Sequence, residues 1–427
     1  MERTDVLIVG AGPVGLFLAG LLAARGVDVA VLERRERPPE HSRAIGLHPP
    51  ALDALAVLGL DRAAVAEGIT VRRGVGYGDG RLLGEITFDR AHPRYPFVLT
   101  LPQSRTEQLL AEHLERLVPG AVHRGVEVVA VKDHDAGAPV LVTARTVQGE
   151  TRQWSARVVV GADGAHSTVR WLAGIGVDRR DWGDSYLMGD FADTASAGPA
   201  APVAEPDADS VAGPAADSAA GATADRTAVI HLHRHGVVES FPLPGGQRRW
   251  VVHTGRQQRP ESVGGLVALV RERRGERRGE NASELPGLPE VPELPDAATA
   301  TMISAFTVYR QLARRMVAGR TVVIGDAAHA ISPIGGQGMT VGWLDALALA
   351  PLLSGLSEGP SDFASFERDR LRAARRAARM AEVNMVLGRP LWAGVRRGRD
   401  TLARAALATP AKHHLARLYS MGGVIQR

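Results

Sequence analysis

The chain has 427 residues, 45% hydrophobic and 23% charged, with a formal net charge of +4 and no cysteine. This length buries a substantial core over more than one domain, and the missing thiols exclude disulfides, thiolate metal sites and cysteine nucleophiles. Nearly all the cations are arginine, Lys132 and Lys412 being the two lysines, and acids are interspersed among them, so no nucleic-acid partner is expected. No run approaches the roughly 18 apolar residues of a membrane span, and no signal peptide with a small-residue cleavage site is visible. A cytoplasmic protein, monomer or homodimer, is the expectation.

In chain order, DVLIVGAGPVGLFLAGLLAARGVDVAVLERR (5–35) predicts strand, Gly-rich turn, helix and second strand, the length of a mononucleotide-binding βαβ unit. ALDALAVLGL (51–60) predicts a helix, and short strands and turns follow from about 71 to 102. GVGYGDGR (74–81) resembles a glycine fingerprint but opens no helix, so a hairpin turn is predicted there. SRTEQLLAEHLERL (104–117) predicts a helix with Ser104 and Glu107 at capping-box spacing. Strands are predicted at 121–131 and 139–147, then a strand–turn–helix in RVVVGADGAHSTVRWLAG (157–174). Residues 194–228, almost all Ala, Pro, Asp, Ser and Gly, lack the large apolar side chains that offset ordering entropy and predict a mobile insertion. The pieces flanking it, SYLMGDF and AVIHLHRHGVVESFPLPGGQRRWVVHT, predict strands of one antiparallel sheet. An Arg/Glu/Pro-rich stretch at 271–296 leads to the strand TVVIGD, and from 363 onward the chain predicts Arg- and Ala-rich helix.

Gly10, Gly12 and Gly15 form G-x-G-x-x-G, with Pro13 between them. The first glycine permits the tight turn, the second lets a pyrophosphate approach, and the third lets helix and strand pack closely. Glu33, followed by Arg34, ends the second strand where a carboxylate would accept ribose hydroxyls. This establishes a dinucleotide site without choosing between FAD and NAD. VVIGDAAHAISPIGGQGMTVG (322–342) chooses FAD: Asp326 after Gly325 suits polyol hydroxyls. Pro333, Gly336, Gln337 and Gly338 leave bare backbone for a flat ring, and a following helix from about 340, past Met339, aims its N-terminus at that ring. GADG (161–164), with Asp163, Ser167 and Arg170, is either a further cofactor turn or simply a helix N-cap.

GAGPVG with Glu33, then VVVGADGAHSTVR, then VVIGDAAHAISPIGGQG resembles the single-component FAD-dependent aromatic hydroxylases, the group A flavoprotein monooxygenases of para-hydroxybenzoate hydroxylase type. The resemblance covers essentially the whole chain apart from 194–228. It implies an α/β fold: a Rossmann-type FAD-binding domain (1–70, 103–177 and 303–358), an inserted β-sheet substrate domain (71–102 and 178–302), and a C-terminal helical segment (359–427). It implies tight, non-covalent FAD and transient NADPH or NADH. Hydroxylation of a phenolic or polycyclic aromatic by O2 through a flavin C4a-hydroperoxide is implied as well, in the style of enzymes tailoring aromatic polyketides in antibiotic biosynthesis. Arg43 and Gln103 match family positions that contact the cofactor, and Asp163 and Arg170 belong to a turn the family uses for FAD and, indirectly, for the nicotinamide; Pro333, Gly336 and Gly338 border the ring, and no protein residue is assigned to catalysis. Many members carry Asn where this chain has Thr340. A flavin reductase or dehydrogenase of the same fold, or a flavin-binding redox sensor, are the alternatives.

Tyr186, Met188, Phe241 and Pro333 are candidate substrate contacts. Trp182, Tyr186 and Trp250 suit either cavity lining or core packing. His231, His233 and His235 alternate in IHLHRH, placing three imidazoles on one strand face; a solvated or pocket-lining face is preferred to a metal site. His329 invites a general-base role, but a structural imidazole beside the cofactor is preferred. Phe363–Leu387 predicts an amphipathic helix packed on the protein rather than on a membrane.

Overall fold

The run VLIV makes strand Glu2–Val9 the centre of a parallel sheet, since its side chains are buried on both faces, as a strand covered on both sides requires. In this computed structural model the described residues are 1–39, 44–133, 138–193, 226–256, 261–274, 292–332, 334–355 and 362–421. Arg43, Pro333 and residues 194–225 of the predicted insertion lie outside them.

Strand Glu2–Val9 pairs in parallel with Val29–Glu33 on one side and Thr151–Gly161 on the other, and Thr321–Val323 adds in parallel beyond Thr151–Gly161. Three glycine-rich turns separated by more than 300 residues of chain therefore leave neighbouring strands at the same sheet edge. Helix Pro13–Ala23 starts with Pro at its first turn and buries Gly15 through Leu22, packed between helices Gln103–Leu117 and Gly338–Ser354. The main core lies here, built from Val, Leu and Ile of the sheet and the apolar faces of these helices.

A second sheet of eight strands runs in the order His329–Ala330, Met302–Ala313, Val177–Ala192, Gln247–Gly255, Gly236–Leu243, Thr227–His233, Arg73–Gly78, Arg81–Thr87. All pairings are antiparallel except Thr227–His233 with Arg73–Gly78, where the two separate β-rich stretches meet in parallel. Strand Met302–Ala313 runs across the expected boundary at 303 and belongs to this sheet through its length. Residues 74–81 form the predicted hairpin, turning at Asp79 and Gly80, both at positive φ.

Three local expectations are corrected. Helix Gln103–Leu117 has Pro102 at its N-cap, so Ser104 lies inside the first turn and makes no capping box. Glu107 instead accepts a hydrogen bond from the Gln103 amide at 2.7 Å. The stretch after Val57 continues into a short second helix, Asp61–Glu67. The strand carrying His231 and His233 ends at His233; His235 is in the turn and bonds Glu272 at 2.9 Å. Helix Phe363–Gly388 is capped by Asp362, which accepts from the Ser365 amide at 2.9 Å, and buries Ala374, Ala377, Ala378 and Ala381 while Arg368, Arg372, Arg375, Arg376 and Arg379 face outward; Arg370 instead reaches inward to Asp345.

Candidate cofactor and substrate site

The fingerprint glycines hold the turn by steric necessity. Gly10 has φ +109°, and a side chain there would collide with the Ala162 carbonyl of the neighbouring turn. A Cβ on Gly15 would strike the Gly10 carbonyl, which fits the close helix–strand packing read from the sequence. A Cβ on Gly12 would meet nothing within 4 Å: this glycine faces open space at the mouth of helix Pro13–Ala23, whose N-cap has no side-chain partner. Free N–H groups at such a terminus favour an anion. Glu33 accepts from the Ala11 amide at 2.9 Å and from the Arg35 amide at 3.0 Å, tying the turn to the end of the second strand.

One cavity of about 650 Å³ begins at this turn and passes Glu33, Arg34 and Gln103 to Asp163, Asp326, Gly336, Gly338 and Met339. Its volume is that of a cofactor-sized site. Asp326 is exposed, but into this cavity; burial by surrounding protein pushes its carboxyl above the usual range, against the pull of His329. No hydrogen bond from the described protein reaches it, so a polyol chain would supply the donors that it lacks. Gly335 and Gly336, at φ +93° and +65°, form a bare loop into the first turn of helix Gly338–Ser354. The Gly335 carbonyl accepts from His48 Nε2 at 2.8 Å, and burial holds the His48 imidazole below its usual range, outweighing that carbonyl. Open space at Gly12, a carboxylate awaiting hydroxyl donors at Asp326 and bare backbone at Gly335–Gly336 fit FAD stretched between the two turns.

Other predicted residues stand behind this lining. Arg170 is buried and donates to the Ala327 carbonyl at 2.7 Å and the Ala165 carbonyl at 2.9 Å, stapling the second glycine turn to the third. Ser167 caps the short helix Thr168–Leu172 through the Arg170 amide at 2.9 Å; Asp163 accepts from Ser167 and, at 3.1 Å, from the Val169 amide while also facing the cavity. Gly325, at φ +58°, abuts Val14 rather than the cavity. Among the described residues the Oε1 of buried Gln337 and the hydroxyl of Thr340, fully buried inside the helix, have no hydrogen-bond partner. His329 is structural. Its Nε2 donates to Asp345 Oδ2 at 2.5 Å, Asp345 Oδ1 accepts from Arg370 at 2.7 Å, and the Gly325 amide donates to Asp345 at 3.1 Å.

Past the loop the cavity continues across the second sheet, where Met188, Phe241, Val251, Phe306 and Ile334 line it. Met188 and Phe241, two of the candidate substrate contacts, are among these lining residues. Tyr186 does not: it is buried in the core and stacks on Phe306, ring centroids 5.5 Å apart. Trp250 is likewise core. His231 stacks on Tyr77 at 4.9 Å, and burial, aided by Arg274 and His233, depresses its pKa to about 3. Among the described residues no group of three His, Asp or Glu stands together as a metal site. The sequence reading missed Glu239, Phe306, His48 and Tyr419, all lining residues. The one signal was GVVESFPL, where Glu239 and Phe241 alternate onto the same strand face.

A parallel sheet carrying a G-x-G-x-x-G turn, a second sheet roofing the far end of one long cavity, and helices beyond define a dinucleotide-binding flavoprotein fold. The chain belongs to the FAD binding domain family, whose model matches residues 3–381, and FAD is its cofactor. It is 35% identical over 367 residues to a 6-methylpretetramide 4-monooxygenase of Streptomyces rimosus, covering 84% of this chain and 57% of that one. It is 30% identical over 365 residues to a para-nitrophenol 4-monooxygenase of Pseudomonas sp. strain WBC-3, covering 83% and 78%. The crystal structure of a p-nitrophenol 4-monooxygenase from Pseudomonas putida DLL-E4 shares the fold, with TM-score 0.79, 22% identity and full coverage of both chains. The chain spans between 57% and 65% of the length of several relatives it matches. Among the described residues no helix is long and apolar enough to cross a membrane.

Proposed function

We propose that this protein is an FAD-dependent monooxygenase that uses NADPH or NADH and O2 to hydroxylate a phenolic or polycyclic aromatic small molecule in the cytoplasm. The observation that carries this reading is the continuity of one cavity from Gly12 and Glu33 to Asp326 and Gly336 and on to the apolar wall of Met188, Phe241 and Phe306. The names of the relatives, monooxygenases of 6-methylpretetramide and para-nitrophenol, support an aromatic substrate.

Bound FAD supplies the redox chemistry, accepting hydride from a nicotinamide and activating O2. The turn Gly10–Gly12 and the start of helix Pro13–Ala23 would hold the pyrophosphate, Glu33 the ribose and Asp326 the ribityl hydroxyls. Gly335, Gly336 and Gly338 would border the ring, with the N-terminus of helix Gly338–Ser354 favouring negative charge there. Met188, Phe241, Val251 and Phe306 keep water from the reacting end, which suppresses wasteful loss of activated oxygen. On this reading the residues of the second sheet form a substrate domain inserted into the FAD-binding domain.

The test is rapid-mixing reduction of the FAD-loaded protein by NADPH and by NADH across a panel of phenols and polycyclic aromatics. Flavin reduction accelerated by particular aromatics, followed by oxygenated product in air, is the expected result. Reoxidation that yields only hydrogen peroxide with every aromatic would assign a reductase or dehydrogenase instead.

A further inference from the structure

Glu239 is a carboxyl in the wrong place for a core strand. It sits mid-strand in Gly236–Leu243, paired in register with Ile230 and Val251, and its side chain faces the cavity beside Met188, Phe241 and Phe306. No hydrogen bond or ion pair from the described protein meets it. Arg249, the lining cation on the adjacent strand, is committed to Asp190 through two contacts of 2.7 Å. Tyr186 and Tyr419 stand near enough that the charge of Glu239 adds to burial in raising both tyrosines. Burial pushes the Glu239 carboxyl itself up to about 7. Glu239 is half-buried, open only toward the cavity; a carboxyl so withdrawn from water is ordinarily paired, and one left unpaired by the described protein on a ligand cavity is placed to accept from the ligand.

On the hydroxylation reading, its position is the reacting end. Tyr419 packs edge-on against His48 with centroids 5.8 Å apart, and His48 bonds the Gly335 carbonyl, so these three run in series to the loop that would border the flavin; Glu239 lines the same cavity and its charge acts on Tyr419.

We propose that Glu239 receives the phenolic O–H of the substrate, so that this site takes neutral hydroxylated aromatics and rejects aromatic carboxylates. The proposal rests on the hydroxylation reading above. The O–H proton passes to a carboxylate oxygen of Glu239, and the electron pair of the broken bond stays on the phenolic oxygen, enriching the ring for attack. The carboxylic acid so formed returns the proton to the phenolate of the hydroxylated product. A base titrating near neutral pH suits such an exchange. An anionic carboxylate at this end would meet a like charge, and Arg249, the cation lining the adjacent strand, is already engaged by Asp190.

The test needs no turnover. The oxidised, FAD-loaded protein is titrated with para-nitrophenol, para-nitroanisole and para-nitrobenzoate, and with a naphthol, its methyl ether and the naphthoate. Affinity is read from the flavin absorbance change and by equilibrium dialysis. In the wild type, each phenol should bind more tightly than its ether and each carboxylate more weakly than either. In Glu239→Gln the phenol-over-ether preference should fall roughly ten- to hundred-fold, the range of a hydrogen bond to a charged group, and the carboxylate should gain affinity. Glu239→Asp should keep the carboxylate excluded. Three results overturn the proposal: a wild type that binds carboxylate as well as phenol, one that binds no phenol, or an unchanged phenol-over-ether ratio in Glu239→Gln. The wild-type order alone decides if the Gln variant fails to load FAD. Phenol preference with no oxygenated product would instead sink the hydroxylase reading and leave the role of Glu239 standing.

Discussion

Asp345→Asn strikes the joint that holds the third glycine turn. Asp345 and His329 are both fully buried, and the carboxylate joins His329 at 2.5 Å, Arg370 at 2.7 Å and the Gly325 amide at 3.1 Å. An amide keeps one acceptor but removes the charge from between two cationic partners. Breaking a buried ion pair from one side costs about 3–5 kcal/mol. The Arg370 side chain is 15% exposed and regains some water, so the lower end, about 3 kcal/mol, is expected. Burial opposes both charges, yet His329 and Arg370 hold the Asp345 carboxyl below its ordinary value, and Asp345 holds the His329 imidazole above its own. The contribution of Asp345 is therefore present above pH 3.8 and lost as pH falls through its lower folded value. That of His329 is full below pH 6.5 and lost as pH rises through its raised folded value. Urea unfolding of the FAD-loaded protein at a series of pH values, followed by release of flavin fluorescence, measures both effects. The wild-type advantage over the variant should be largest between pH 3.8 and 6.5. A loss below about 1 kcal/mol, the level of an exposed pair, with the same pH profile in both proteins, would refute the reasoning.

Gly10→Ala combines a disallowed φ with a collision against Ala162 and should cost about 2–6 kcal/mol, read as purified protein with little FAD; normal flavin content would contradict it. Asp326→Ala should weaken FAD by roughly ten-fold or more in an equilibrium titration of the apoprotein, while leaving the melting temperature of that apoprotein within a few degrees, because no hydrogen bond from the described protein reaches this carboxyl and its effect on His329 is only a through-space one. Phe241→Ala opens the dry wall and should raise the hydrogen peroxide formed per NADPH consumed, measured with a peroxide-coupled assay; an unchanged ratio would remove Phe241 from the water barrier.

The nucleotide end was legible because glycine spacing reports local backbone geometry: Gly10, Gly12 and Gly15 each act within a few residues of where they stand. Met188 and Phe241 were legible as apolar residues on strands flanking the insertion. Tyr186, two residues before Met188 on the same strand face, was misplaced because that face passes from core into cavity within about 7 Å, and sequence does not mark where. Ser104 failed as a cap because Pro102 starts the helix two residues earlier. Glu239 was missed for a different reason: its meaning depends on Arg249 being committed to Asp190 on the neighbouring strands, and no local pattern reveals an absent partner.

The most direct test of the central claim is oxygenation under isotopically labelled O2, with FAD-loaded protein, a nicotinamide and the phenol that most accelerates flavin reduction. The account predicts one labelled oxygen atom in the aromatic product for each nicotinamide oxidised productively. Nicotinamide oxidation that places label only in hydrogen peroxide, for every phenol that binds, would contradict it.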